Sequence, residues 1–98
     1  MDKRRKNMGN ALGLLKLLSH PVRLSILCNL LHNGEMSVGE IVKAEGGVAG
    51  QSQISQFLGK MRSEGLVQTR KKAQTVYYKI KSPQAKAVVQ SLYDLYCG

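Results

Sequence analysis

The chain has 98 residues, a formal net charge of +9, two cysteines and no tryptophan. That length holds one domain with a modest core, two cysteines make no disulfide framework, and no apolar run approaches the ~18 residues that span a membrane. The charge is uneven, at +3 over residues 1–6, zero over 7–59, +7 over 60–86 and −1 over the last twelve. A cationic stretch confined to one half suits a polyanion, either nucleic acid or an anionic membrane surface. The alternative is a solvated basic face that keeps the protein soluble. The opening MDKRRKN is basic, but the ALGLLKLL that follows is short and broken by Lys16. No signal-peptide core is read there, and a cytoplasmic protein is expected.

Residues 1–9 read as a flexible basic arm ahead of one domain covering 10–98. From Asn10 the pattern is helical, with Leu12, Leu15 and Leu18 three apart and Leu14 beside them. Ser19 is expected to cap a second helix, in whose first turn Pro21 is tolerated because its missing N–H is not needed. Leu24, Leu27, Cys28 and Leu31 should form the inward stripe of that helix, flanked by Ile26 and Leu30, and Asn33-Gly34 should end it. Ser37 and Glu40 match a capping box, which opens a short helix over roughly 38–45. A glycine-rich turn, Glu45 to Gly50, leads into a helix from Gln51 to Ser63 with Ile54, Leu58 and Met61 inward and Phe57 beside them. Leu66–Arg70 and Thr75–Ile80 are β-prone runs joined by a polar turn, Lys71–Gln74. Tyr77 and Tyr78 alternate, so one should face the core and one outward. Ser82-Pro83 opens a last helix with Val88, Val89, Leu92, Leu95 and Tyr96 on its apolar stripe.

The order is helix, helix, short helix, turn, helix, hairpin, helix. That is a mainly α fold with a small β-hairpin, a winged helix-turn-helix. Its recognition helix would present Gln51, Ser52, Gln53, Ser55 and Gln56 to DNA bases, with Lys60 on the backbone. Gln pairs bidentately with adenine, Ser reaches bases or phosphates, and a solvated face would more often use Glu and Lys. The wing, Arg70, Lys71, Lys72 and Gln74, would lie along phosphates, although a charged turn also blunts an edge strand. The stripes of the first and last helices have no other large surface to cover. Leu12, Leu15, Leu92, Leu95 and Tyr96 are therefore expected at a homodimer interface.

The stretches LLKLLSHPVRLSILCNLL, MSVGEIVKA and QSQISQFLGKMRSEGLVQTRKKAQTVYYKI resemble the ArsR/SmtB family of dimeric winged-helix repressors over about residues 10–97. Within it the chain is most similar to the HlyU, BigR and SqrR branch, regulators with one cysteine in the second helix and one near the C-terminus. Cys28 and Cys97 stand at those two places. The resemblance implies a redox or persulfide switch between them and an inverted-repeat DNA operator. It also implies what is missing. The metal-sensing relatives carry C-x-C where this chain has Ser37-Val38-Gly39, and His and Asp on a last helix that here holds only Asp94. One departure from the branch is the longer glycine turn, which bears on the tilt of the recognition helix.

Cys28 also suits a plain core position, whereas the penultimate Cys97 does not. Cys28 and His32 are four apart, but two ligands do not hold zinc, and His32 near a helix end is a natural dipole partner. No metal, cofactor or catalytic constellation is expected, and no membrane partner. The function read is that of a sequence-specific transcription regulator with a thiol switch. The rivals are a metal-responsive repressor, an architectural DNA protein and, weakly, a thiol oxidoreductase, for which C-x-x-C is lacking.

Overall fold

The computed structural model describes residues 3–96. In chain order the elements are α1 (Lys3–Leu18), α2 (Pro21–Asn33), β1 (Met36–Ser37), α3 (Val38–Ala44), α4 (Gln51–Ser63), β2 (Val67–Lys72), β3 (Thr75–Ile80) and α5 (Pro83–Tyr96). The three strands form one antiparallel sheet in the order β1-β3-β2. This is the expected mainly α fold with a hairpin, enlarged by one strand.

Helix α1 begins at Lys3, not at Asn10, so residues 3–9 of the expected arm are helical. Lys and Arg are good helix formers, but a periodicity argument sees only packed faces. Every residue from Lys3 to Gly13 is exposed, and the first buried side chain is Leu18. α1 and α2 meet at 97° across Ser19-His20. The cap of α2 is His20 and not Ser19: His20 Nδ1 accepts from the Val22 N–H at 3.2 Å, while the Ser19 hydroxyl donates back to the Lys16 carbonyl. Pro21 sits in the first turn as expected.

The inward face of α2 is rotated from the expected stripe. Val22, Ile26, Leu27 and Leu30 are buried, whereas Leu24, Cys28 and Leu31 are half-buried on the adjoining flank. Ile41 of α3, Ile54, Leu58 and Met61 of α4, Val67 of β2 and Val89 of α5 complete the fully buried centre. Sealing each such side chain from water is worth about 1.5–3 kcal/mol, so α4 is fixed mainly by its inner face.

The capping box of α3 is present in both directions, Ser37 N–H to Glu40 Oε1 at 2.9 Å and Glu40 N–H to Ser37 Oγ at 3.2 Å. Ser82 caps α5 through the Ala85 N–H. Among the described residues no single helix is long and apolar enough to cross a membrane.

Candidate nucleic-acid interface

Helix α4 leaves the glycine turn with Gly50 as its N-cap and no side-chain cap bond. With Ile54, Leu58 and Met61 fully buried, Gln51, Ser52, Gln53, Ser55, Gln56 and Lys60 are all exposed. The helix thus presents a continuous uncharged face of amides and hydroxyls, and charge begins only with Lys60. Lys60 pairs with Glu64 one turn on, at 3.1 Å. Gly59 lies on the same exposed side, and nothing stands within 4 Å of where its Cβ would be. A face of this kind carries the groups that read base edges in a major groove.

The wing differs from expectation in its tip. Strand pairing runs from Val67↔Ile80 to Lys72↔Thr75, so the turn is the two residues Ala73-Gln74 and not Lys71–Gln74. Ala73 takes a φ of 55°, a conformation L residues rarely hold. Lys71, Lys72 and Gln74 are exposed at that end. Arg70 is not at the tip. Its guanidinium Nε donates to Glu35 Oε2 at 3.1 Å, a second N–H reaches Oε1, and it lies 5.4 Å from the Tyr77 ring centre.

That bidentate pair lowers the Glu35 carboxyl below its usual range, first through the hydrogen bond and then through the charges of Arg70, Lys79 and Lys72; Arg70 is raised in turn. Arg70 therefore braces the wing against the connector after α2, which leaves Lys71 and Lys72 as the outermost cations. Tyr78 packs on the core and Tyr77 on Arg70, which is the expected alternation.

The remaining candidates lie on α1, α2 and α5. Leu12, Leu15, Leu95 and Tyr96 are 55–81% exposed, and Leu92 is half-buried. Cys28 opens into two adjoining clefts between α2 and α5. One, of about 270 Å³, is walled by Leu24, Leu92, Tyr93 and Tyr96; the other, of about 180 Å³, by Leu31, His32, Gln90 and Tyr93. Cys97 lies outside the described residues. Among those residues no group of three or more His, Cys, Asp or Glu could hold a metal ion.

Sequence reasoning missed two features that hold the site, β1 and the buried Glu45. β1 is too short to show alternation. Glu45 looks like any turn carboxylate until its partners on α2 are known.

Residues 20–69 match the family described as "Bacterial regulatory protein, arsR family". The chain belongs to the arsR family. It is 47% identical over 92 residues to the "Transcriptional activator HlyU" of Vibrio cholerae, covering 94% of this chain and 82% of that protein. It is 41% identical over 98 residues to the "Biofilm growth-associated repressor" of Xylella fastidiosa, covering all of this chain and 81% of that protein. Reduced HlyU from Vibrio cholerae superposes with a TM-score of 0.90 at 44% identity, and each chain is covered in full. The repressor BigR from Xylella fastidiosa superposes with a TM-score of 0.84 at 38% identity, over 100% of this chain and 99% of that one. This arsR-family chain is a winged helix-turn-helix, DNA-binding transcription regulator of the HlyU and BigR branch.

Proposed function

We propose that residues 10–98 form one domain that binds an inverted-repeat operator as a homodimer, and that a thiol switch at Cys28 and Cys97 controls its affinity. The observation that carries the DNA reading is the uncharged, exposed face of α4 above a fully buried apolar face. Gln51, Ser52, Gln53, Ser55 and Gln56 read bases, Lys60 and the wing residues Lys71, Lys72 and Gln74 follow the backbone, and Arg70 aims the wing. The exposed apolar side chains of α1 and α5 supply the dimer surface, with Leu12, Leu15, Leu92, Leu95 and Tyr96 at its centre. A dimer places two recognition helices on half-sites one turn of DNA apart.

The thiol reading is supported by the position of Cys28 in the α2–α5 seam. Tyr96, which directly precedes Cys97 in the chain, walls the same cleft as Cys28. Joining two thiols as a disulfide removes two electrons and two protons. A peroxide takes them up as its O–O bond breaks to give two waters. With a persulfide donor one sulfane sulfur leaves as hydrogen sulfide carrying the two electrons and two protons, and any further sulfane sulfur is built into the link. Such a bridge ties α2 to α5, and α5 belongs to the proposed dimer surface. A coupling of ~1–3 kcal/mol, about 5–150-fold in affinity, is typical of such switches.

The experiment is mass spectrometry of the protein treated with peroxide or with a persulfide donor, read beside operator affinity. The treated wild type should carry an intramolecular link and lose DNA. Cys28→Ser and Cys97→Ser should each bind like the reduced wild type and ignore the treatment. A single mutant that still releases DNA as fully as the wild type overturns the two-cysteine switch and leaves the DNA reading intact.

A further inference from the structure

Among the described residues Glu45 is the one buried charged side chain, 7% exposed. It closes α3 as its C-cap residue. One carboxylate oxygen accepts from the Ser25 hydroxyl at 2.9 Å and from the Asn29 amide at 2.7 Å. The two donors are one helical turn apart on α2 and so share a face. Immediately after Glu45 come Gly46 and Gly47 with φ of 65° and 88°. Two left-handed glycines leave the turn little stiffness of their own, so the path from α3 into α4 is set by what holds the turn on either side of them: Glu45 ahead, and the buried Ala49 and the packing of α3 on α4 behind.

The far end is held by Ile54 and Leu58 in the core, and by Phe57 of α4. The Phe57 ring lies 4.7 Å from that of His20 and 5.9 Å from the guanidinium of Arg23. The near end is held by Glu45. The contacts of Phe57 and the bonds of Glu45 both run to α2 or its cap. A buried ion contributes little to net stability against an apolar replacement. Two charge-assisted hydrogen bonds do fix distance and direction, which is what a glycine turn in front of a recognition helix lacks.

We propose that Glu45 is a positioning residue for DNA recognition, a latch that sets the approach of α4 by tying the glycine turn to Ser25 and Asn29 of α2. The proposal rests on the reading of α4 as the recognition helix. It also gives the thiol switch a route. Cys28 stands between the two latch donors in the chain, on the adjoining flank of the same two turns, so a shift of α2 against α5 moves Ser25 and Asn29 under Glu45.

The test compares wild type, Glu45→Ala, Glu45→Gln and the double variant Ser25→Ala/Asn29→Ala. Affinity is measured for the preferred duplex and for a scrambled duplex of equal length. Circular dichroism and thermal unfolding establish that each protein is folded at the assay temperature. Glu45→Ala and the double variant should each lose about tenfold on the preferred duplex, equivalent to about 1.4 kcal/mol. Affinity for the scrambled duplex and the salt slope should stay at wild-type values, because the wing cations are untouched. Glu45→Gln should recover most of the loss, since a single oxygen accepts both bonds and the Gln carbonyl can take its place. Combining Glu45→Ala with the double variant should cost no more than either, as groups acting as a unit do not add. If Glu45→Ala does not fold, Ser25→Ala and Asn29→Ala singly, each leaving one bond, carry the same comparison. A wild-type preference that the folded latch variants keep in full overturns the latch alone. A wild type without preference between the duplexes overturns the recognition-helix reading and the latch with it.

Discussion

The recognition helix and the wing solve opposite problems with opposite materials. The outer face of α4 is nearly chargeless, and its inner face is locked by three fully buried side chains. The wing is exposed over most of its length, carries adjacent cations, and is braced by an ion pair and a two-residue strand. Reading bases needs donors and acceptors held in fixed places. Holding a phosphate backbone needs charge, and tolerates motion. A neutral face on a buried backing against an exposed cationic hairpin is the contrast on which the proposed split between specificity and affinity rests.

The harshest way to break that comparison is to remove the proposed dimer, on which operator binding by both regions would depend. Leu15→Glu with Leu95→Glu should give a folded monomer, because both side chains are more than half exposed in the single chain. Losing the second half-site should cost about 10²-fold or more on an inverted repeat. Sedimentation beside DNA titration measures this, and a monomer with wild-type affinity would refute the dimer.

Next, Gln53→Ala should cost ~1–3 kcal/mol on the preferred site and nothing on random DNA. An equal loss on both would remove Gln53 as a base reader. Lys71→Ala with Lys72→Ala should do the reverse. Binding to all DNA weakens, and the salt slope falls by roughly 0.9 for each phosphate that the wing no longer neutralises.

A smaller effect concerns the brace. Because the folded-state pKa of Glu35 is depressed, the contribution of the pair is present above the unfolded-state value. It is lost as pH falls through the depressed one. Glu35→Gln should therefore lower stability at neutral pH and flatten its decline in acid, as thermal midpoints against pH would record. An unchanged pH profile would mean that the pair does not hold the wing.

The smallest change is Gly59→Ala, which fills open space on α4 and should stabilise the protein by about 0.5–1 kcal/mol. Whether it also weakens operator binding shows how closely DNA approaches that face.

Much of this architecture is legible in one dimension. Ile54, Leu58 and Met61 announce the inner face of α4 by spacing, and Ser37 with Glu40 announces the start of α3. What escapes has physical reasons. The first turns of α1 bury nothing, so no period marks them. Ser19 is the better cap by type, but the His20 ring accepts the bond that caps α2 and also lies tilted against Phe57. On α2 the densest run of leucines points to one stripe, whereas the core selects Val22, Ile26, Leu27 and Leu30 and turns Cys28 toward α5. At the candidate site, the exposed residues of α4 fall where the pattern puts them. Arg70, in contrast, belongs to a pair 35 positions apart that no local rule could find.

Ser37 does two things at once. It pairs with Tyr77 in the sheet, and its side chain caps α3 through the Glu40 amide. In the language of hydrogen exchange, the inner edge of the wing and the first amides of α3 belong to one opening unit. The base of the hairpin cannot peel away without unwinding the start of the helix ahead of the glycine turn. Breathing of the wing is therefore confined to its distal half, from Lys71 to Val76, where deuterium should enter first, while the Glu40 amide and the strand pairs near Val67 exchange together and late.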